Sequence, residues 1–494
     1  MMPTMHSSTD KVPTDTPVLT MIRRKTTVLK KTIIAGLMPA LALCFAGVAH
    51  AAVSEEEASR LGADLTLHGA EKAGNADGTI PEYTGGLQPL PGYNRDSMQT
   101  YIHPYADEKP LFVITANNME QYQKYLTEGT KALLRKYPSY KLNVYPTHRS
   151  ARYEDWVLEN TRVNATTAEL TGAIMGDAVK GADPNGLPLP GVIFPIPQNG
   201  YEVMWNHKLA FAPAVMHQHN QAFVVDSNGG VSTLSTPNQY HLRPWYDRSG
   251  QLRQQSHGAV KVVSALQTSP PQAAGVTFLN FYLPTADNGG QLVWFYTPGQ
   301  RRARRAPDFA YDLPITAYGG VLMWDEIYGF VGRMDRFDFK LVGKEEKIVP
   351  YNAYTLTQDT NPRAALGKDY LDPEVLRFEK HRVWIVEAER KAGARHVYSK
   401  RRFYIDEDSW QIVALETYDD AGQLWRNGYI QSFPTYDVGG VNNNTWAFDD
   451  LVSGNYMLIN AGASQPGFWN RSYTSAEGLR IALTPRAVEA QGVR

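Results

Sequence analysis

Residues 381–430 read HRVWIVEAERKAGARHVYSKRRFYIDEDSWQIVALETYDDAGQLWRNGYI. Runs rich in β-branched and aromatic residues are separated by KAGAR, DEDS and DDAG, short connections of turn-forming residues. That rhythm predicts an antiparallel meander. Along its first run Arg382, Trp384 and Val386 point one way, and Val383 and Ile385 the other. Both faces carry apolar side chains, so the sheet is expected to be covered on at least part of each side.

The same grammar extends upstream. VTFLNFYLPT (residues 276–285) and QLVWFYT (291–297) are two aromatic β-type runs joined through a Gly turn. The second breaks at Pro298-Gly299 into Arg301, Arg302, Arg304 and Arg305, within PGQRRARRAPDFAYDLP (298–314). An apolar strand pair ending in a cationic rim suits a protein that handles an amphiphile. Trp294, Tyr296, Phe278 and Phe281 are the candidate wall residues. Alternation forbids all of them from facing one side, and Phe278 and Phe281 differ by an odd number. Guanidinium forks match a carboxylate or phosphate headgroup, or an acidic partner. Arginines at a strand end also guard an exposed edge without binding anything.

Residues 1–51 are read as targeting sequence. Arg23, Arg24, Lys25, Lys30 and Lys31 precede an apolar run from Ile33 to Val48 and the small-x-small pattern Ala49-His50-Ala51. This order is that of a secretory signal peptide cleaved near Ala51, with Met21 as a candidate true initiator. Leu43 before Cys44 does not suit lipidation, so Cys44 leaves with the leader. The mature chain then has no cysteine, which excludes disulfides, thiolate metal sites and cysteine nucleophiles. Of 49 basic and 50 acidic residues, the leader takes six and two, leaving a mature net charge of −5. No global basic field exists, so nucleic acid is not an expected partner.

Helix signals are few. Ser54-Glu-Glu-Glu57 reads as a capping box opening a helix over about 55–61. Met119, Tyr122, Leu126, Leu133 and Leu134 form one stripe of a helix expected over 119–137, capped by Asn117 or Asn118. Residues 182–200 are a Pro-rich loop, packed on the core or gating a cavity. No linker splits residues 52–494, read as one domain.

Catalytic patterns are weak. His217 and His219 share a strand face and could hold a metal with Asp226 or His207, though paired histidines at this spacing are common by chance. Ser464 sits in GASQPG, one residue too long for a nucleophile elbow. Asp325-Glu326 and Asp406/Asp408 are carboxylate pairs, the second in a predicted hairpin turn where Asp favours the turn geometry. No phosphate loop, dinucleotide fingerprint or HExxH occurs. No catalytic residue, metal or cofactor is therefore assigned.

SEEEASRLGADLTLHGAEKAGNADGTIPEYTGG (residues 54–86), WFYTPGQRRARRAPDFAYDLP, DRFDFKLVGKEEKIVPYN (335–352) and ETYDDAGQLWR resemble a Gram-negative periplasmic family. That family is classed as a domain of unknown function, is labelled outer membrane lipoprotein-sorting protein, and is similar to the LolA/LolB lipoprotein carriers. The resemblance implies a mainly β (α+β) fold, an incomplete antiparallel β-barrel curved around a few helices, with an apolar cavity. It also implies a periplasmic carrier of a lipid or other hydrophobic molecule, working with an inner-membrane exporter and an outer-membrane barrel. Two rivals stay open: a docking module without cargo, and a periplasmic hydrolase.

Overall fold

The structure, a computed structural model, describes residues 52–98, 100–306, 312–315, 318 and 321–492. The predicted leader, with Met21 and Cys44, lies outside the described residues, as do 307–311 of the arginine-containing stretch.

Strands dominate. β1 (Phe112–Thr115) and β2 (Lys141–Val144) come first, then a small hairpin of β3 (Glu169–Thr171) and β4 (Ala178–Lys180). β5 (Val215–His219) and β6 (Gln221–Val225) are consecutive segments, and β7 (Val231–Leu242) folds back along both. β8 (Lys261–Ser269), β9 (Thr277–Tyr282), β10 (Gln291–Tyr296) and β11 (Ala303–Arg305) follow by successive antiparallel pairing. The expected meander is β12 (Phe337–Pro350), β13 (Phe378–Arg390), β14 (Lys400–Asp406), β15 (Ile412–Tyr418) and β16 (Leu424–Ile430). After the short β17 (Phe433–Pro434) and β18 (Val441–Asn442), β19 (Trp446–Asp450) and β20 (Tyr456–Ala461) carry the sheet from β16 to β6. β21 (Trp469–Tyr473) pairs with β5.

Among the described residues the main sheet has 17 strands. Its only parallel contact among the described residues is Phe378 with Val144. β7 is the corner: Val231–Ser235 pairs with β6, while Thr236–Leu242 pairs with β8 on one edge and Asn238–Leu242 with β5 on the other. Among the described residues β12 pairs only with β13, and β11 only with β10, so the sheet stays open. The fold is a large antiparallel sheet with few helices, an incomplete barrel.

Alternation sorts the meander as its pattern demands. Among the helices, α1 is Glu55–Ala58 and α3 is Asp155–Thr167. Val383 and Ile385 pack outward under α2 (Glu128–Lys136), against Leu133 and Leu134. Val386 packs inward with Trp384 beside it, against α4 (Gly200–Lys208) and the turn containing Ile327 to Phe330. Burying Leu133 and Leu134, 1% and 0% exposed, contributes roughly 1.5–3 kcal/mol each. α2 lies close against β16 because residue 129 is glycine: a Cβ there would fall 2.1 Å from Asn427 Oδ1.

The helix expected over 119–137 is two pieces, a 3-10 turn Met119–Tyr125 and then α2. Leu126 is extended (ψ 145), and Thr127, not Asn118, caps α2 by accepting from the Thr130 amide. The apolar stripe is nonetheless continuous, with Met119, Leu126, Leu133 and Leu134 in one cluster. The helix expected over 55–61 is shorter, covering Glu55–Ala58, and Ser54 Oγ accepts from the Glu57 amide. The 182–200 loop packs on the core through Val192, Ile193 and Phe194, held by Asn164 and Thr161. A C-terminal helix, Pro485–Gly492, covers the outer face of β8–β10 with Val488 against Leu279, Phe281 and Tyr296.

Candidate functional site

The inner face of β7–β10 is not filled. A cavity of about 540 Å³ lies between these strands and Leu313, Pro314, Ile315, Tyr318, Trp324 and Ile327. Val263, Ala265, Phe278, Phe295, Trp324 and Trp446 are among its walls. Phe278 stands 5.2 Å from Phe295 and 4.8 Å from Trp324, ring centre to ring centre, making an aromatic corner. The volume falls within the range of small-molecule sites, roughly 300–1,000 Å³. Its polar handles are sparse and partly unused: His241 Nε2 and Gln267 Oε1 are buried without a partner.

Strand register explains which aromatics reach it. Phe278 is paired directly with Phe295, so both project inward. Trp294 is paired with Leu279 and Tyr296 with Thr277, on the opposite face. Phe281, Trp294 and Tyr296 therefore pack outward, beneath the C-terminal helix. Of the four candidate wall residues, the structure brings Phe278 alone to the cavity and adds Phe295 and Trp324. The inward pairing follows from how β9 and β10 are joined: residues 283–290 connect them, and their register places odd positions of one opposite even positions of the other.

The four arginines are divided too. Arg304 pairs with Phe295 and shares its face, while Arg305 pairs with Trp294 and shares the outer one. Arg301 caps a 3-10 turn in the left-handed region, φ +50. All four are exposed. β11 is an edge strand, tied to the C-terminal helix where the Ala303 amide donates to Glu489 Oε1 at 2.8 Å.

Beyond the aromatic corner the interior turns cationic. Lys261 opens β8 and faces inward, 4% exposed, with Nζ 4.2 Å from the centre of the Tyr328 ring. Arg243, also 4% exposed, approaches the same ring at 5.0 Å. Lys208, on α4, lies 4.0 Å from the Trp205 ring. Among the described residues none of the three has a carboxylate partner within salt-bridge distance. Burial, then Arg243 and Lys208, push the Lys261 ammonium well below its ordinary value. Burial pushes Lys208 down to about 8, against a partial pull from Asp177. Burial, with Lys261 nearby, drives His207 down to about 3. His241 is likewise pushed down by burial, Arg243 and Lys261, and its Nδ1 meets the Tyr328 hydroxyl. Tyr328 itself sits at φ +58, a costly conformation for an aromatic residue.

The remaining sequence candidates are spent on structure. His217 stacks on Tyr240 and bonds Asn238 Oδ1 at 2.9 Å; His219 bonds Gly467 O and Thr268 Oγ1. Asp226 accepts from two amides of its own turn, and His207 Nδ1 accepts from the Ile412 amide, so neither joins the pair. Ser464 donates to the Thr360 carbonyl. Asp325 is gripped by Arg401 at 2.6 Å and His396 at 3.1 Å, and Glu326 accepts from the Tyr398 hydroxyl. His381, Asp406 and Asp408 have potential donor atoms within 4.8 Å of one another. Asp408 is nevertheless clasped by Arg149 through both oxygens, at 2.6 and 2.8 Å. Burial and the neighbouring Asp408 raise the Asp406 carboxyl above its ordinary value, and its Oδ2 accepts from Tyr351 and Ser409. Among the described residues no helix is long and apolar enough to cross a membrane.

A model of the family described as "Protein of unknown function (DUF1329)" matches residues 113–488. A relative from Pseudomonas aeruginosa, an uncharacterised protein, is 36% identical over 446 residues, 90% of this chain and 95% of its own length. Among solved structures, a DUF1329 family protein from Desulfovibrio piger is similar at TM-score 0.38 and 12% identity, over 58% of this chain and 97% of that one. A LolA superfamily protein from Nitrosomonas europaea is similar at TM-score 0.32 and 11% identity, over 54% of this chain and 92% of that one.

Proposed function

The chain belongs to the DUF1329 family, and from that premise we propose that it is a periplasmic carrier of a lipid or other hydrophobic molecule. One observation carries the reading: the inner face of β7–β10 holds a cavity of about 540 Å³ walled by apolar and aromatic side chains. Other spaces of similar volume exist in the molecule, and this one stands apart by its predominantly apolar and aromatic lining, the usual character of a small-molecule site. Transfer of apolar groups into it supplies affinity at about 0.8 kcal/mol per methylene. The N-terminal leader pattern supports the compartment. The family resemblance adds an inner-membrane exporter and an outer-membrane barrel as handover partners.

The test fills the space. Ala265, 7% exposed, sits on β8 in the cavity wall. The mature wild-type protein should take up one hydrophobic dye per chain and give its native cargo to solvent extraction. Ala265→Trp should weaken dye uptake at least tenfold. A wild-type protein that is empty after gentle purification and takes up no fatty acid or dye sinks the carrier.

The exposed arginines favour a second reading, contact with an acidic partner surface. Glutamate at Arg301, Arg302 and Arg304 should then abolish partner binding while dye uptake persists.

A further inference from the structure

We propose that the small pocket at Lys261 and Lys208, beside the large cavity and with Arg243 behind it, is a binding site for the anionic head of an elongated amphiphile whose apolar body lies along β8. The inference rests on the carrier reading and adds the class of its cargo.

The inner face of β8 sets the order: Lys261, Val263, Ala265, Gln267. The last three line the large cavity, and Lys261 lines a smaller pocket of about 30 Å³ beside Lys208. Trp324 lines both, so the two spaces share a wall. At 10–15 Å³ per water the smaller one has room for roughly two waters or one carboxylate. From Lys261 to Gln267 the strand advances about 20 Å, so an amphiphile filling both sites would lie along β8 and pass Trp324.

Charge gives the path its polarity. Lys261 and Arg243 are both nine-tenths buried and share a single ring, Tyr328. A ring face attracts a cation but does not neutralise it. Lysine and arginine are almost never fully buried unless paired. The one carboxylate lining the small pocket, Asp177, is already clasped by Arg333 at 3.1 and 2.5 Å. An anion entering between Lys261 and Lys208 meets two amines that among the described residues have no carboxylate of their own, and its charge favours their protonated forms. His241 adds an unpartnered Nε2 on the cavity side.

The experiment compares three ligands of equal chain length, dodecanoate, dodecyl phosphate and dodecanol, on the full mature chain by titration calorimetry at pH 7. At least tenfold tighter binding of dodecanoate or of the alkyl phosphate than of the alcohol is expected, and the tighter of the two anions names the head as carboxylate or phosphate. Lys261→Met should erase that preference while dodecanol binding stays within twofold, which also reports that the variant is folded; Arg243→Met serves the same end should Lys261→Met not fold. Equal affinity for acid, phosphate and alcohol in the wild type overturns the head site and leaves the carrier standing. A preference that survives both substitutions overturns the assignment to these residues. Failure of all three ligands to bind removes the carrier reading, and the head site with it.

Discussion

Arg401 and Lys261 are both buried on the inner face of the sheet, 0% and 4% exposed, and their surroundings differ in kind. On β14, Arg401 meets Asp325 at 2.6 Å, with His396 on the same carboxylate and Glu326 at 3.9 Å. Against burial, which would raise it, Arg401 and His396 hold Asp325 at about 2. On β8, Lys261 meets the Tyr328 ring, Arg243 and Lys208, and burial lowers its proton affinity. At the meander end of the interior the buried cation is matched by carboxylates, whereas at the β7–β10 end no carboxylate among the described residues matches Lys261. A buried charge with its partner belongs to the scaffold, and one without a partner points to a ligand.

The largest expected effect breaks the matched end. Arg401→Met strands Asp325 in a water-excluded interior, and removing one partner of a buried pair costs about 3–5 kcal/mol. Lys261→Met removes a charge that has no partner to strand and keeps the side-chain volume, so stability should change by less than about 1 kcal/mol or rise. Urea unfolding of both variants beside wild type measures the difference. Equal destabilisation would mean that Lys261 has a structural partner, and the contrast would be lost.

A smaller effect comes from pH. The His207 imidazole is held neutral down to about 3 by burial and by Lys261, against an ordinary value of 6.5. Its folded value is depressed, so the unfolded chain binds the proton first and stability falls as pH drops below 6.5. Each pH unit is worth 1.36 kcal/mol per group, or about 2 kcal/mol between pH 6.5 and 5. Unfolding free energies of wild type and His207→Gln over that range should differ in slope by this one group. Identical slopes would show that the cationic end does not repel a further proton.

These contrasts were unequally legible in the chain. The two-sided meander follows from a local period of two, and Trp384 and Val386 separate from Val383 and Ile385 as that period requires. The stripe from Met119 to Leu134 was legible for the same reason, but the break at Thr127 was not, because a threonine that caps resembles one that continues a helix. The cavity's aromatic wall was half hidden: Phe278 and Phe295 meet only through the register across residues 283–290. Lys261 and Arg243 carried no signal, each being an isolated cation at a strand end. The four clustered arginines drew the headgroup reading because clustering is visible in one dimension, while the lack of a carboxylate partner is visible only in three.

The smallest expected effect separates those two cationic regions. Arg302 and Arg304 are exposed, and solvent screens whatever ion pairs they make to about 0–1 kcal/mol. Glutamate at both positions should shift unfolding free energy by no more than about 0.5 kcal/mol. Dodecanoate affinity should change by less than twofold, since a charge in water outside the cavity contributes little to an anion desolvated within it. Arg304 is the sharper of the two, because its register with Phe295 places it on the cavity's face of the sheet. A tenfold loss of dodecanoate binding in Arg304→Glu, with dodecanol unaffected, would move the anionic head from the buried lysines to the rim. The amphiphile would then lie reversed along β8, its tail toward Lys261, and the unpaired interior cations would need another explanation.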